Sequence, residues 1–150
     1  MAVDLNEYLN KQFNIEPKDI RTYSPLTLAY IGDAIFDVVI RSILVNKGNI
    51  PVNKLHTKAS QIVKAPTQAA MINAIMDDLT EEEADWYRRG RNSKPHTKAK
   101  NASTMDYLEA TGFEAVIGYL YLKGDMDRIC ALVRRALSAV GYKDKAVANN

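Results

Sequence analysis

Asp33 and Asp37 lie one helical turn apart in the stretch Leu28 to Arg41, LAYIGDAIFDVVIR, whose other residues are nearly all apolar. Leu28, Ile31, Ile35, Phe36, Val38, Val39 and Ile40, continued by Ile43, Leu44 and Val45, leave little room for a wet face. The segment therefore reads as a long helix in the middle of the fold. A carboxylate in that setting is costly unless it is paired or holds a cation. Two like charges at this spacing repel by roughly 0.2 to 0.5 kcal/mol in an isolated helix, and a divalent metal reverses the sign. The alternative needs no metal: Asp37 pairs with Arg41 at i, i+4, and Asp33 bonds a neighbouring helix cap.

A second chemical feature is basic. Between Trp86 and Met105 the chain carries Arg88, Arg89, Arg91, Lys94, Lys98 and Lys100 and no acidic residue. A charge run of this kind is often only a solvated face. Here arginine forks suit phosphate oxygens, Asn92, Ser93, Thr97 and Asn101 can donate to phosphate or a ribose 2′-hydroxyl, and Gly90 permits close approach. Arg88, Arg89, Arg91, Asn92, Lys94, Lys98 and Lys100 are thus the candidate polyanion-binding residues. Trp86 and Tyr87, at helix spacing, are expected in the core rather than stacked on bases. His56 reads as a surface or satisfied group rather than a metal ligand.

The elements that must position these groups are helical, since few β-branched alternating runs occur. A short amphipathic helix spans Asp4 to Phe13. Ser24 caps a helix opened by Pro25 and running to about Asn46, ended by Gly48. Pro51 opens a helix through Val63, and Pro66 restarts one with Met71, Ile72, Ile75 and Met76 at core spacing. Thr80 and Glu83 form a capping box, and the acidic first turn suits the positive end of the helix dipole. Thr104 is the expected cap of a long hydrophobic helix, Met105 to Leu122. Gly112 and Gly118 inside it each cost about 1 kcal/mol relative to alanine, as expected if another backbone crosses there. Gly124 ends it, Asp125 caps a last helix, and Gly141 closes that one.

With 150 residues the chain suits one domain, able to bury about 68 to 70% of its unfolded surface. A net charge of +2 is small, so any nucleic-acid preference must come from where charge lies. The single cysteine, Cys130, excludes an intrachain disulfide and fits a reducing compartment. Absence of a leader pattern and of an apolar run near 18 residues gives an expectation of cytoplasmic localisation and no membrane contact. No internal repeat, C-x-x-C pair, Gly-rich phosphate loop or Ser-His-Asp set competes for the chemistry.

The I-G-D-A core, Ile31 to Ala34, resembles the signature helix of the ribonuclease III family, usually L-E-F-L-G-D-A. A second block, Thr111 to Gly118, TGFEAVIG, is similar to that family's D-x-F-E-A-L-I-G. Arg88 to Asn92, RRGRN, resembles the basic segment of the short bacterial branch, mini-ribonuclease III, which lacks a separate double-stranded-RNA-binding domain. The resemblance implies an all-α fold: a single ribonuclease III-type endonuclease domain of about seven helices with no sheet, over residues 1–142, followed by a disordered tail, 143–150. It implies catalysis and metal binding by Asp33 and Glu114, with Mg²⁺ as cofactor, and a homodimer that cleaves both strands of double-stranded RNA. For this branch the implied substrate is the base-paired stem flanking precursor large-subunit (23S) ribosomal RNA, read by A-form shape, phosphates and 2′-hydroxyls.

Mg²⁺ suits such chemistry because it activates water and neutralises a departing oxygen while taking only one or two protein carboxylates. This chain departs from the family pattern where Ala29 and Thr111 replace two further acids, which leaves the number of metals open; Asp37 is a possible outer helper. The alternative is a lapsed ribonuclease III-like module that binds RNA or the ribosome without cutting. A crossing of the two signature helices near Gly32 and Gly112 is expected to bring Asp33 and Glu114 together.

Overall fold

The structure is a computed structural model that describes residues 4–93 and 102–142. Lys94, Lys98, Lys100 and the tail at 143–150 lie outside the described residues. Seven α-helices follow one another with no strand among the described residues: α1 Leu5–Gln12, α2 Pro25–Val45, α3 Val52–Val63, α4 Ala65–Ile75, α5 Glu81–Arg91, α6 Ala102–Lys123 and α7 Met126–Ala139. Single 3₁₀ turns precede α2 and α5, at Ile20–Thr22 and Met76–Asp78.

The helix starts follow local chemistry. The Ser24 hydroxyl accepts from the Thr27 amide with Pro25 in the first turn, and Asp125 does the same for Arg128. Thr80 and Glu83 complete the capping box reciprocally. Several boundaries differ from expectation: α1 starts at Leu5 with Asp4 as its N-cap, and α4 starts at Ala65, one residue before Pro66. Pro51 is the N-cap of α3 rather than its first helical residue, and α6 begins at Ala102, so Thr104 lies inside it rather than capping it.

The central helix is α6, not α2. From Ala110 to Tyr121 every residue but Glu114 is buried, with Phe113, Ala115, Val116 and Ile117 at 0% exposure. Helices α2, α4, α5 and α7 pack around it, and Phe36 of α2 meets Phe113 with ring centroids 5.6 Å apart. By contrast α2 keeps a solvent face made of apolar side chains: Leu26, Tyr30, Val38 and Val45 are exposed, Tyr30 by 83%. Apolar composition alone does not rank two such helices. Small residues do, because Ala110, Gly112, Ala115 and Gly118 let several neighbours approach α6 at once.

Two backbone crossings fix the layout. A Cβ at Gly32 would sit 1.8 Å from the Glu114 carbonyl oxygen, and one at Gly118 would sit 1.9 Å from that of Leu28. The α2–α6 contact is therefore backbone on backbone, with Gly118 rather than Gly112 opposite Gly32. Gly112 instead meets Tyr87 and Gly90 of α5, where a Cβ would fall 2.7 Å from the Tyr87 ring. Gly90 is buried in this second crossing and is not a point of approach for phosphate.

One buried ion pair joins α5 to α7. Glu83, 2% exposed, accepts Arg128 Nε at 2.9 Å on Oε2 and Nη2 at 2.9 Å on Oε1. Arg128 Nη2 also donates to the Asp78 carbonyl at 2.7 Å. Burial opposes the Glu83 charge, but the Arg128 and Thr80 hydrogen bonds outweigh it and hold the carboxyl below the ordinary glutamate value.

Substituting Gly118→Ala is expected to destabilise the fold by about 3 kcal/mol, because the obstacle is rigid helix backbone. For a domain of this size that lowers the thermal midpoint by about 6 to 12 °C, measurable by circular dichroism.

Candidate active site

The α2–α6 crossing sets Asp33 beside Glu114. Gly32 lies against the turn of α6 that carries Glu114, so the next residue along α2 is brought to the Glu114 side chain. The two carboxyl groups are within hydrogen-bonding reach of each other. They share an open cleft of about 570 Å³ with Tyr30, Asp37, Tyr107 and Thr111. Asp33 is exposed, unlike the buried acid that an all-round apolar helix implied, while Glu114 is half-buried.

Burial pushes the Glu114 carboxyl upward, and the hydrogen bond and charge of Asp33 and the charge of Asp37 act in the same direction. The Gln68 amide opposes them, and the result is a Glu114 pKa of about 8. Without a cation, burial and the neighbouring acids thus favour the protonated form of Glu114 below about pH 8. Asp37 pairs with Arg41 at 3.5 Å, the metal-free arrangement expected at i, i+4. Asp33 does not follow that alternative, for its partner is Glu114 rather than a helix cap.

Residues at the two positions where acids are missing line the same cleft and bring no charge to it. Ala29 is buried, and the buried Thr111 hydroxyl donates back to the Tyr107 carbonyl at 2.9 Å. Gln68, on the first turns of α4, joins the site without a signal in either motif. Its Nε2 donates to the Val63 carbonyl at 2.8 Å and to Glu114 Oε2 at 3.4 Å. Its Oε1 is buried with no hydrogen-bond partner, a condition that costs about 1 to 3 kcal/mol. The sequence does hold a clue, since Gln68 occupies the apolar stripe of α4 at helical spacing with Met71, Ile72 and Ile75.

Among the described residues no group of three His, Cys, Asp or Glu side chains is placed to hold a metal ion. The Asp33–Glu114 pair nevertheless fits Mg²⁺, which retains several waters and needs only one or two carboxylates. His56 is exposed on α3, outside this cleft.

The described part of the basic segment ends α5. Trp86 and Tyr87 are buried, as the helix spacing predicts. The Arg89 guanidinium lies 4.1 Å from the Trp86 ring centroid and that of Arg91 lies 5.7 Å from the Tyr87 ring. Arg88 faces Asp85 at 3.6 Å, and Asn92 is exposed as the C-cap. The backbone of α5 approaches α6 at Gly112, two residues from Glu114, while the Arg89 side chain lines a separate cleft with Glu82, Tyr119 and Lys123.

With Glu114 raised to about 8, the metal-free fold loses stability as pH rises from the unfolded value of 4.5 to about 8, because the folded state binds the extra proton. Glu114→Gln is expected to flatten that part of the profile of thermal midpoint against pH, read in the presence of a chelator.

Comparison with known proteins agrees with the two signature helices. The ribonuclease III domain model matches residues 26–125. Mini-ribonuclease 3 of Clostridium tetani is 44% identical over 132 residues, covering 87% of this chain and 86% of that protein. Mini-ribonuclease 3 of a Thermoanaerobacter species is 43% identical over 140 residues, covering 93% and 99%. A crystal structure of a Fusobacterium nucleatum protein superposes with a TM-score of 0.73 at 34% identity, over 81% of this chain and 98% of that one. Helix order, the paired acids and these relatives agree: the chain belongs to the ribonuclease III family, with the mini-ribonuclease 3 proteins among its relatives.

Proposed function

We propose that this endoribonuclease cleaves double-stranded RNA with a divalent cation, Mg²⁺, held by Asp33 and Glu114. The observation that carries the reading is the shared cleft in which these two carboxyl groups meet, where burial and Asp33 favour a proton on Glu114. When bound there, a divalent cation supplies the positive charge that this proton otherwise supplies, and it polarises water and phosphate oxygens. The chain's own residues do the rest. Asp33, exposed, faces substrate and solvent, while Glu114 is anchored to the central helix. Arg88, Arg89, Arg91 and Asn92 contact backbone phosphates, joined by Lys94, Lys98 and Lys100, and the chain grips its duplex through this surface.

The apolar solvent face of α2, with Leu26, Tyr30 and Val38, supports a homodimer that buries it and presents one site to each strand. The proposed natural substrate is the paired stem flanking precursor large-subunit ribosomal RNA in the cytoplasm, a reading supported by the likeness to the mini-ribonuclease III branch. No helix among the described residues is long and apolar enough to cross a membrane. The missing acids at Ala29 and Thr111 favour one other reading, a lapsed module that binds RNA without cutting it.

Cleavage of a perfectly paired RNA hairpin by the purified protein decides between them. Magnesium-dependent cutting of both strands is expected, reduced at least about a hundredfold in Asp33→Asn and Glu114→Gln, beyond the loss typical of an outer-shell partner. Arg88→Ala should lower the slope of log affinity against log salt by about 1 while leaving the cut position unchanged. Binding by all these proteins without cleavage by any would establish the lapsed module instead.

A further inference from the structure

We infer that Gln68 is a positioning residue for the Glu114 carboxylate, holding it in the orientation a divalent cation takes. This rests on the metal-dependent reading of the Asp33–Glu114 site and extends it to a third helix. Gln68 is 2% exposed, in line with Met71, Ile72 and Ile75 on the core stripe of α4. An apolar side chain is the expected occupant there. The amide instead reaches two acceptors from different helices, the Val63 carbonyl that ends α3 and Oε2 of Glu114 on α6. Turning the amide over would set its oxygen against both, so its orientation is fixed by the pair.

The same orientation leaves Oε1 buried and unpartnered. A residue serving packing alone gains nothing from an amide whose oxygen goes unsatisfied, so the cost is explained by what its Nε2 holds in place. Gln68 thus ties Glu114 to a fixed backbone carbonyl, which limits the carboxylate rotamers that would move it off the cation. Asp33, exposed across the cleft, has no described neighbour of this kind beyond Glu114 itself.

The test uses the full chain in three forms, unmodified, Gln68→Met and Gln68→Asn, and follows the thermal midpoint as MgCl₂ is added in the absence of RNA. Gln68→Met keeps the shape and removes the amide. It is expected to need about 10- to 100-fold more magnesium for the same rise in midpoint. In hairpin cleavage, its rate should fall at limiting magnesium and recover as magnesium is raised, with the KM for hairpin unchanged. A lower midpoint without metal but an unaltered magnesium dependence would make Gln68 a packing and capping residue, overturning the inference while leaving the metal reading intact. If the unmodified protein shows no magnesium response, the metal reading falls and the inference with it. Should Gln68→Met lose cooperative unfolding, Gln68→Asn, whose shorter amide cannot span both acceptors, is read by the same criterion: a shifted magnesium dependence supports the inference and an unshifted one overturns it.

Discussion

The backbone contact between Gly32 and Gly118 is the constraint on which the rest of the site depends. With no side chain on either residue, α2 settles against the carbonyl groups of α6. Helix axes normally stand 8 to 10 Å apart, the spacing set by the side chains at the contact. Removing those side chains brings the helices together at the turn that bears Glu114 and at the residue preceding Asp33. The acids then meet because rigid elements meet, and their placement does not rely on loops. A second close crossing, Gly90 with Gly112, orders α5 and its terminal arginines on the same helix.

That rigidity has an energetic counterpart in the charge of the site. Two acids held within hydrogen-bonding reach, one of them half-buried, cannot both ionise cheaply, so Glu114 retains its proton to about pH 8. The fold is accordingly under tension where the chemistry is proposed, and Gln68 is the contact that relieves it in the ionised form. A cleft with these properties favours an added positive charge, whether a proton on Glu114 or a cation, which is the electrostatic ground of the proposed metal reading.

Much of the architecture was legible from local rules. Ser24, Thr80 and Asp125 mark helix starts by hydrogen bonds that involve residues three apart, and Gly124 and Gly141 end helices at positive φ. The two acids of the candidate site were singled out from their motifs, although motifs do not give exposure, and Asp33 is wet. What the sequence could not settle was tertiary. Two apolar helices compete for the centre, and only the pattern of small residues along α6 decides it. Four glycines offer several crossings, and the register chosen, Gly32 on Gly118, depends on how α5 occupies the Gly112 position. Gln68 escaped notice because its partner lies 46 residues away.

Glu83 shows how a short-range signal becomes a long-range one. Its carboxyl closes the capping box of α5 and at the same time receives Arg128 of α7, which also grips the Asp78 carbonyl just before α5. One side chain thereby belongs to a helix start and to a tertiary joint. The first turn of α5 cannot fray without releasing α7, and α7 cannot lift without exposing a buried carboxylate. The two helices are thus joined in a single cooperative unit, and their amide hydrogens should exchange with solvent through a shared opening.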